Sequence, residues 1–228
     1  MGMNRTLWLV LFFIIMAVDI FAIATDNNDL RWFTKPLIIP MLIGYLVSSL
    51  TVIKFREYKW VIAALVFSWG GDVLLMLEFK DSNFFIYGLV SFLVAHVCYI
   101  YFFQVVKRKE KIKTSWLFVL PVLVYYAGLI TFLFPYLKDL KIPVIVYGAV
   151  ISTMLGFALH MLAMKNKNAA MSMLVGAILF IISDSVLAIN KFYKPFEGAG
   201  IVIMLTYAFA QLLIVIGVIK YIKASTVD

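Results

Sequence analysis

The sequence predicts an all-α polytopic membrane protein, a single bundle of eight transmembrane helices with both termini cytoplasmic. Three observations predict it. Of the 228 residues 64% are hydrophobic and the mean hydropathy is +1.02, whereas soluble domains are about 45–50% apolar. Only 14% of residues are charged, and they gather in short gaps. Between the gaps lie eight apolar runs, each close to the ~20 residues that cross a bilayer.

In chain order the runs cover residues 7–24, 36–53, 60–77, 84–106, 115–134, 142–164, 169–190 and 200–222. The first follows Arg5 and ends in Ala22-Ile23-Ala24, which has the look of a secretory signal with its cleavage site. Its length and its Asp19 are unusual for an apolar signal core, so it is read as a retained helix. The second and sixth open alike, with Lys35-Pro36 and Lys141-Ile142-Pro143, and Pro36 suits a first helical turn. The third carries Gly70-Gly71-Asp72 and the seventh Ser183-Asp184-Ser185. These aspartates stand 112 residues apart, close to half the chain, a spacing that suits a parallel four-plus-four repeat. The links are too short for a soluble domain, and residues 1–228 are read as one domain.

Charge sets the expected orientation. The N-terminus, the even-numbered links and the C-terminus hold thirteen Lys and Arg, among them the cluster Lys107, Arg108, Lys109, Lys111 and Lys113. The odd-numbered links hold seven, so the first group is expected in the cytoplasm, in a bacterial inner membrane. Basic loops beside membrane spans also account for the net charge of +8, which leaves no basis for nucleic-acid binding. The 107–113 cluster suits contact with anionic lipid headgroups. The single cysteine, Cys98, cannot form an internal disulfide, and two histidines with one cysteine give no metal-type spacing.

The chemistry lies in the polar residues inside the spans. An aspartate near a helix centre costs about 2.5–3.5 kcal/mol on insertion scales, and it persists where it faces a cavity or a partner. At about 1.5 Å per residue, Asp72 and Asp184 lie roughly 8 and 9 Å inside the outer ends of their helices. Asp19 is about as deep, Tyr207 slightly deeper, and Lys35 sits at the outer mouth, so these groups share one layer. Two carboxyls in one low-dielectric site lose their protons separately, which suits general acid–base catalysis. The structural alternative is that each is paired with lysine or capped by Ser68 and Ser183; the intramembrane depth, the matched layer and the small neighbours favour function. Lys35 is placed to pair with Asp19 or to attract a phosphate. His96 and Tyr99 share a helical face, as do Tyr207 and Gln211; each pair is read either as part of the cavity or as interhelical hydrogen bonding. His160 is read as structural. No nucleotide loop or nucleophile elbow is present.

Taken together, Lys35-Pro36-Leu37, Gly71-Asp72-x-x-Leu75, Gly88 to Phe92, His96 with Tyr99, Ser183-Asp184-x-x-Leu187-Ala188 with Phe192, and Tyr207 with Gln211 resemble the YhhN-like family of membrane proteins, whose characterised members are lysoplasmalogenases. The resemblance spans nearly the whole chain. It implies hydrolysis of the vinyl ether bond of a lysoplasmalogen to a fatty aldehyde and a glycerophospho-alcohol, with Asp72 and Asp184 catalytic. Lys35, Asp19, His96, Tyr99, Ser183, Tyr207 and Gln211 would contact the lysophospholipid. The implied chemistry requires no metal and no other cofactor, and the implied partners are the lysolipid and the surrounding membrane lipids. The rival reading from another class is a proton-coupled small-molecule or lipid transporter with the two aspartates as a relay. A structural or lipid-binding bundle is the third.

Overall fold

The computed structural model describes residues 4–50 and 57–225. Eight long helices make up the bundle: α1 (Arg5–Ala24), α2 (Asn28–Leu50), α3 (Tyr58–Met76), α4 (Asn83–Lys109), α5 (Trp116–Leu133), α6 (Lys141–His160), α7 (Lys167–Ala188) and α8 (Ala199–Ala224). All eight are long and apolar enough to span a membrane. Helices suit that solvent because each satisfies its own backbone, and lipid offers no replacement partners. The described residues contain no strand.

The ends of most helices fall within a few residues of the apolar runs, but α2 begins eight residues before residue 36. Asn27 accounts for this early start: its Oδ1 accepts from the Leu30 N–H at 3.0 Å. Asp29 then occupies the first turn, where the helix dipole favours an anion. The polar residues of these first two turns lower the hydropathy and conceal the helix. Pro36 therefore does not open α2. Both Pro36 and Pro40 lie inside it. The end of the second run at 51–53, with Lys54 and Arg56 of the charge count, lies outside the described residues.

The two prolines create a specific need. Pro40 has no N–H to offer the Pro36 carbonyl, and an unpaired carbonyl in apolar surroundings is costly. The indole N–H of Trp69, on α3, donates to that carbonyl at 2.8 Å. This bond pins α2 to α3 one residue from Lys35 and three from Asp72.

The most enclosed helix is α8, packed against α1, α2, α3 and α7, whereas α5 rests mainly on α6 and is the least buried. Glycine brings α7 and α8 close together. A Cβ at Gly176 would meet the Ala210 carbonyl at 2.8 Å, and one at Gly217 would meet the Ala169 carbonyl at 2.9 Å. The halves are arranged alike: α3 packs on α4 as α7 packs on α8, and α8 lies on α2 as α4 lies on α6.

Replacing Trp69 by Phe is expected to lower stability by about 1 kcal/mol, the net worth of one hydrogen bond, read as the thermal midpoint in detergent. Adding Pro40→Ala, which supplies a backbone N–H for the same carbonyl, should recover part of the loss.

Candidate active site between α3 and α7

A cavity of about 270 Å³ lies among the helices and holds both aspartates. Its polar wall consists of Lys35 from α2, Asp72 from α3, Tyr147 from α6, Ser183 and Asp184 from α7, and Tyr207 from α8. Phe92, Leu75 and Met204 supply apolar surface. Gly71 makes room for that wall, since a Cβ there would come within 2.6 Å of the Phe92 ring.

Asp72 is almost fully buried. Its Oδ2 accepts from the Tyr207 hydroxyl at 2.7 Å, and its Oδ1 lies 3.6 Å from Lys35 Nζ. Lys35 thus pairs with Asp72 and not with Asp19. At Asp184, Oδ2 accepts from the Tyr147 hydroxyl and lies 3.7 Å from His96 Nε2. That imidazole nitrogen is also 3.0 Å from the Tyr147 oxygen. His96 is fully buried against the edge of Phe180 and lies behind the cavity wall. Asp184 is the more open of the two carboxylates, with 17% of its side chain exposed against 5% for Asp72.

The remaining expected residues separate into three places. Ser183 lines the cavity while its hydroxyl donates to the Ile203 carbonyl of α8 at 2.9 Å. Tyr99 and Gln211 are fully buried outside the cavity wall: the Tyr99 hydroxyl donates to Gln211 Oε1 at 2.5 Å, and Gln211 Nε2 donates to Ser68 at 2.9 Å. Ser68 therefore serves Gln211 and does not cap Asp72. Asp19 is buried elsewhere, accepting from Thr34 at 2.7 Å, and takes no part in lining the cavity. His160 is bonded at both ring nitrogens, to the Gly156 carbonyl and the Ser115 N–H.

Sequence reasoning missed Tyr147 and the charged rim formed by Arg31, Glu78 and Lys191. A signal for Tyr147 existed. It stands 112 residues after Lys35, the interval that separates Asp72 from Asp184. In each half an even-numbered helix thus presents a polar side chain to the carboxylate of the next helix. Tyr99 and Gln211 are also 112 apart and touch, as equivalent residues do beside an axis relating two halves. Among the described residues no three His, Cys, Asp or Glu side chains gather as a metal site would require. A second cavity, of about 390 Å³ between α5 and α6, contains neither aspartate.

The model of the YhhN family matches residues 30–218. The chain belongs to the YhhN family. The matched segment contains every polar residue named in the cavity and its rim, and leaves out Asp19. Among curated relatives, the lysoplasmalogenase of Mycobacterium tuberculosis is 34% identical over 165 residues, covering 71% of this chain and 61% of the relative. Human lysoplasmalogenase TMEM86B is 29% identical over 219 residues, covering 91% and 85%. This YhhN chain thus spans about three fifths of the length of the mycobacterial relatives it matches. No solved structure matches it.

Lys35→Met leaves Asp72 without its cation and is expected to cost about 3–5 kcal/mol, as breaking a buried pair does. Lys35→Met with Asp72→Asn should be less destabilised than Lys35→Met alone. Thermal unfolding of the three variants measures the coupling.

Proposed function

We propose that this YhhN protein is an intramembrane lysoplasmalogenase, which hydrolyses the vinyl ether of a single-chain glycerophospholipid with Asp72 and Asp184 as acid and base. The observation that carries the reading is the pair of aspartates on one cavity, each held by a tyrosine hydroxyl. The mycobacterial and human relatives named lysoplasmalogenase support the choice of substrate.

The chemistry fits two carboxyls. One delivers its proton to the outer alkene carbon, and the π electrons form the new C–H bond. The ether oxygen shares a lone pair, giving an oxocarbenium ion. The other carboxylate stabilises that cation and takes a proton from the attacking water. The resulting hemiacetal breaks its bond to the glycerol oxygen, which accepts a proton, and the chain leaves as an aldehyde. One water is consumed. Tyr147 and Tyr207 fix the orientation of the two carboxyls through their hydrogen bonds.

The charged rim lies at the end of the bundle away from the 107–113 cluster. By the asymmetry of Lys and Arg this end is the outer leaflet face, so the lysolipid would enter with its headgroup there and its chain among the helices. The products are a fatty aldehyde and glycerophosphocholine or glycerophosphoethanolamine.

Purified protein is expected to release aldehyde from a choline or ethanolamine lysoplasmalogen and nothing from the saturated lysophospholipid ester. Asp72→Asn and Asp184→Asn should each reduce kcat at least 10²-fold, the lower range of acid–base contributions, while the proteins stay folded. Tyr147→Phe should cost about tenfold, equivalent to one hydrogen bond of ~1.4 kcal/mol. Full activity in either Asn variant would overturn the catalytic pair. Solute uptake driven by a pH gradient, with no product formed, would instead support the transporter reading.

A further inference from the structure

The cavity wall and its rim together contain three cations, and two of them are engaged. Lys35 is held by Asp72. Lys191 is held by Glu78 and lies 5.1 Å from the centroid of the Phe85 ring. Arg31 differs: its Nε is buried and has no hydrogen-bond partner among the described residues, and no carboxylate among them lies within ion-pair distance of its guanidinium. A buried guanidinium N–H without an acceptor is costly. The planar fork of an arginine suits two oxygens of a phosphate better than a point charge does.

Position adds a second argument. Arg31 precedes Lys35 by four residues on α2, so the two lie on the same face about 6 Å apart along the axis. Lys35 marks the place of Asp72, and Arg31 stands one turn nearer the end of the bundle. The glycerol of a lysolipid separates its ether oxygen from its phosphate by a similar few ångströms. Arg31 also belongs to a second chamber of about 680 Å³, walled by Trp32, Leu75, Glu78 and Phe79, which adjoins the first. Trp32 and Phe79 meet edge to face there with centroids 5.9 Å apart.

We propose that Arg31 is the phosphate anchor of this site: its guanidinium binds the phosphodiester of a single-chain glycerophospholipid, and the outer chamber receives the headgroup. The assignment rests on the lysolipid reading above, and it moves the expected phosphate contact from Lys35 to Arg31. Lys35, already paired, is left to the carboxylate.

The test measures binding apart from turnover. Purified wild type, Arg31→Gln and Arg31→Lys are titrated with a saturated ether lysophospholipid, which carries no vinyl ether to cleave, and with the matching alkylglycerol, which lacks the phosphate. Wild type is expected to bind the phospholipid at least tenfold more tightly than the alkylglycerol. Arg31→Gln should lose that preference, Arg31→Lys should regain part of it, and all three should bind the alkylglycerol alike. Equal loss of both ligands in Arg31→Gln, or no loss of either, would overturn the anchor. Displacement of the lipid by inorganic phosphate at the lipid's own concentration would overturn the lipid assignment in favour of a free-anion site. Should the wild type fail to release aldehyde yet keep this binding pattern, the anchor stands and the hydrolase reading falls.

Discussion

A charged pair sunk among apolar helices, Lys35 with Asp72, constrains the rest of the bundle. Each charge alone would be expensive in such surroundings, and the pair is tolerated only with good geometry and further hydrogen bonds. That geometry requires α2 and α3 to lie side by side at a fixed height. The bond from Trp69 to the Pro36 carbonyl supplies the height, and Tyr207 brings α8 in as a second donor to the carboxylate. Asp184 has the same scaffold with different company, a phenol from Tyr147 and an imidazole from His96, and no lysine among the described residues. Two carboxyls in matching positions are thereby given unlike surroundings, which suits the proposed division into acid and base.

Close helix approach makes this polar interior affordable in space. Gly176 and Gly217 let the backbones of α7 and α8 meet, as small residues do in membrane interfaces. The buried Tyr99, Gln211 and Ser68 then form a hydrogen-bonded chain joining α4, α8 and α3. The cavity lies beside this chain, so its walls are stiffened from behind by groups that never reach it.

The number and extent of the helices were legible in the sequence because hydropathy over some twenty residues is a strong signal. The start of α2 was not, because its first turns are polar and their partners come from α1, from α3 and from an asparagine cap. Asp72, Asp184, Ser183, Tyr207 and Lys35 stood out as polar residues in apolar runs, and the cavity collects all five. Asp19 gave the same signal, yet its partner is Thr34 on the neighbouring helix; depth alone does not say which way a side chain faces. Tyr147 was hidden among twelve tyrosines, a residue type that interfacial belts also use. Only the 112-residue interval singles it out. Arg31 and Lys191 count in the sequence only as two of the seven cations of the odd-numbered links, and Glu78 gives no signal there; the folded ends bring the three to one rim.

The inner cavity is small. At about 270 Å³ it is just below the ~300–1,000 Å³ of pockets that enclose a drug-sized ligand, and a lysolipid with a long chain exceeds that size. Under the proposed reading the walls surround the linkage and the carbons next to it, while the remainder of the tail passes out between helices into the bilayer. Methylenes that stay in hydrocarbon before and after binding contribute little to affinity. Recognition would then rest on the bond and the headgroup, and lipids of very different tail length would compete for the site on nearly equal terms.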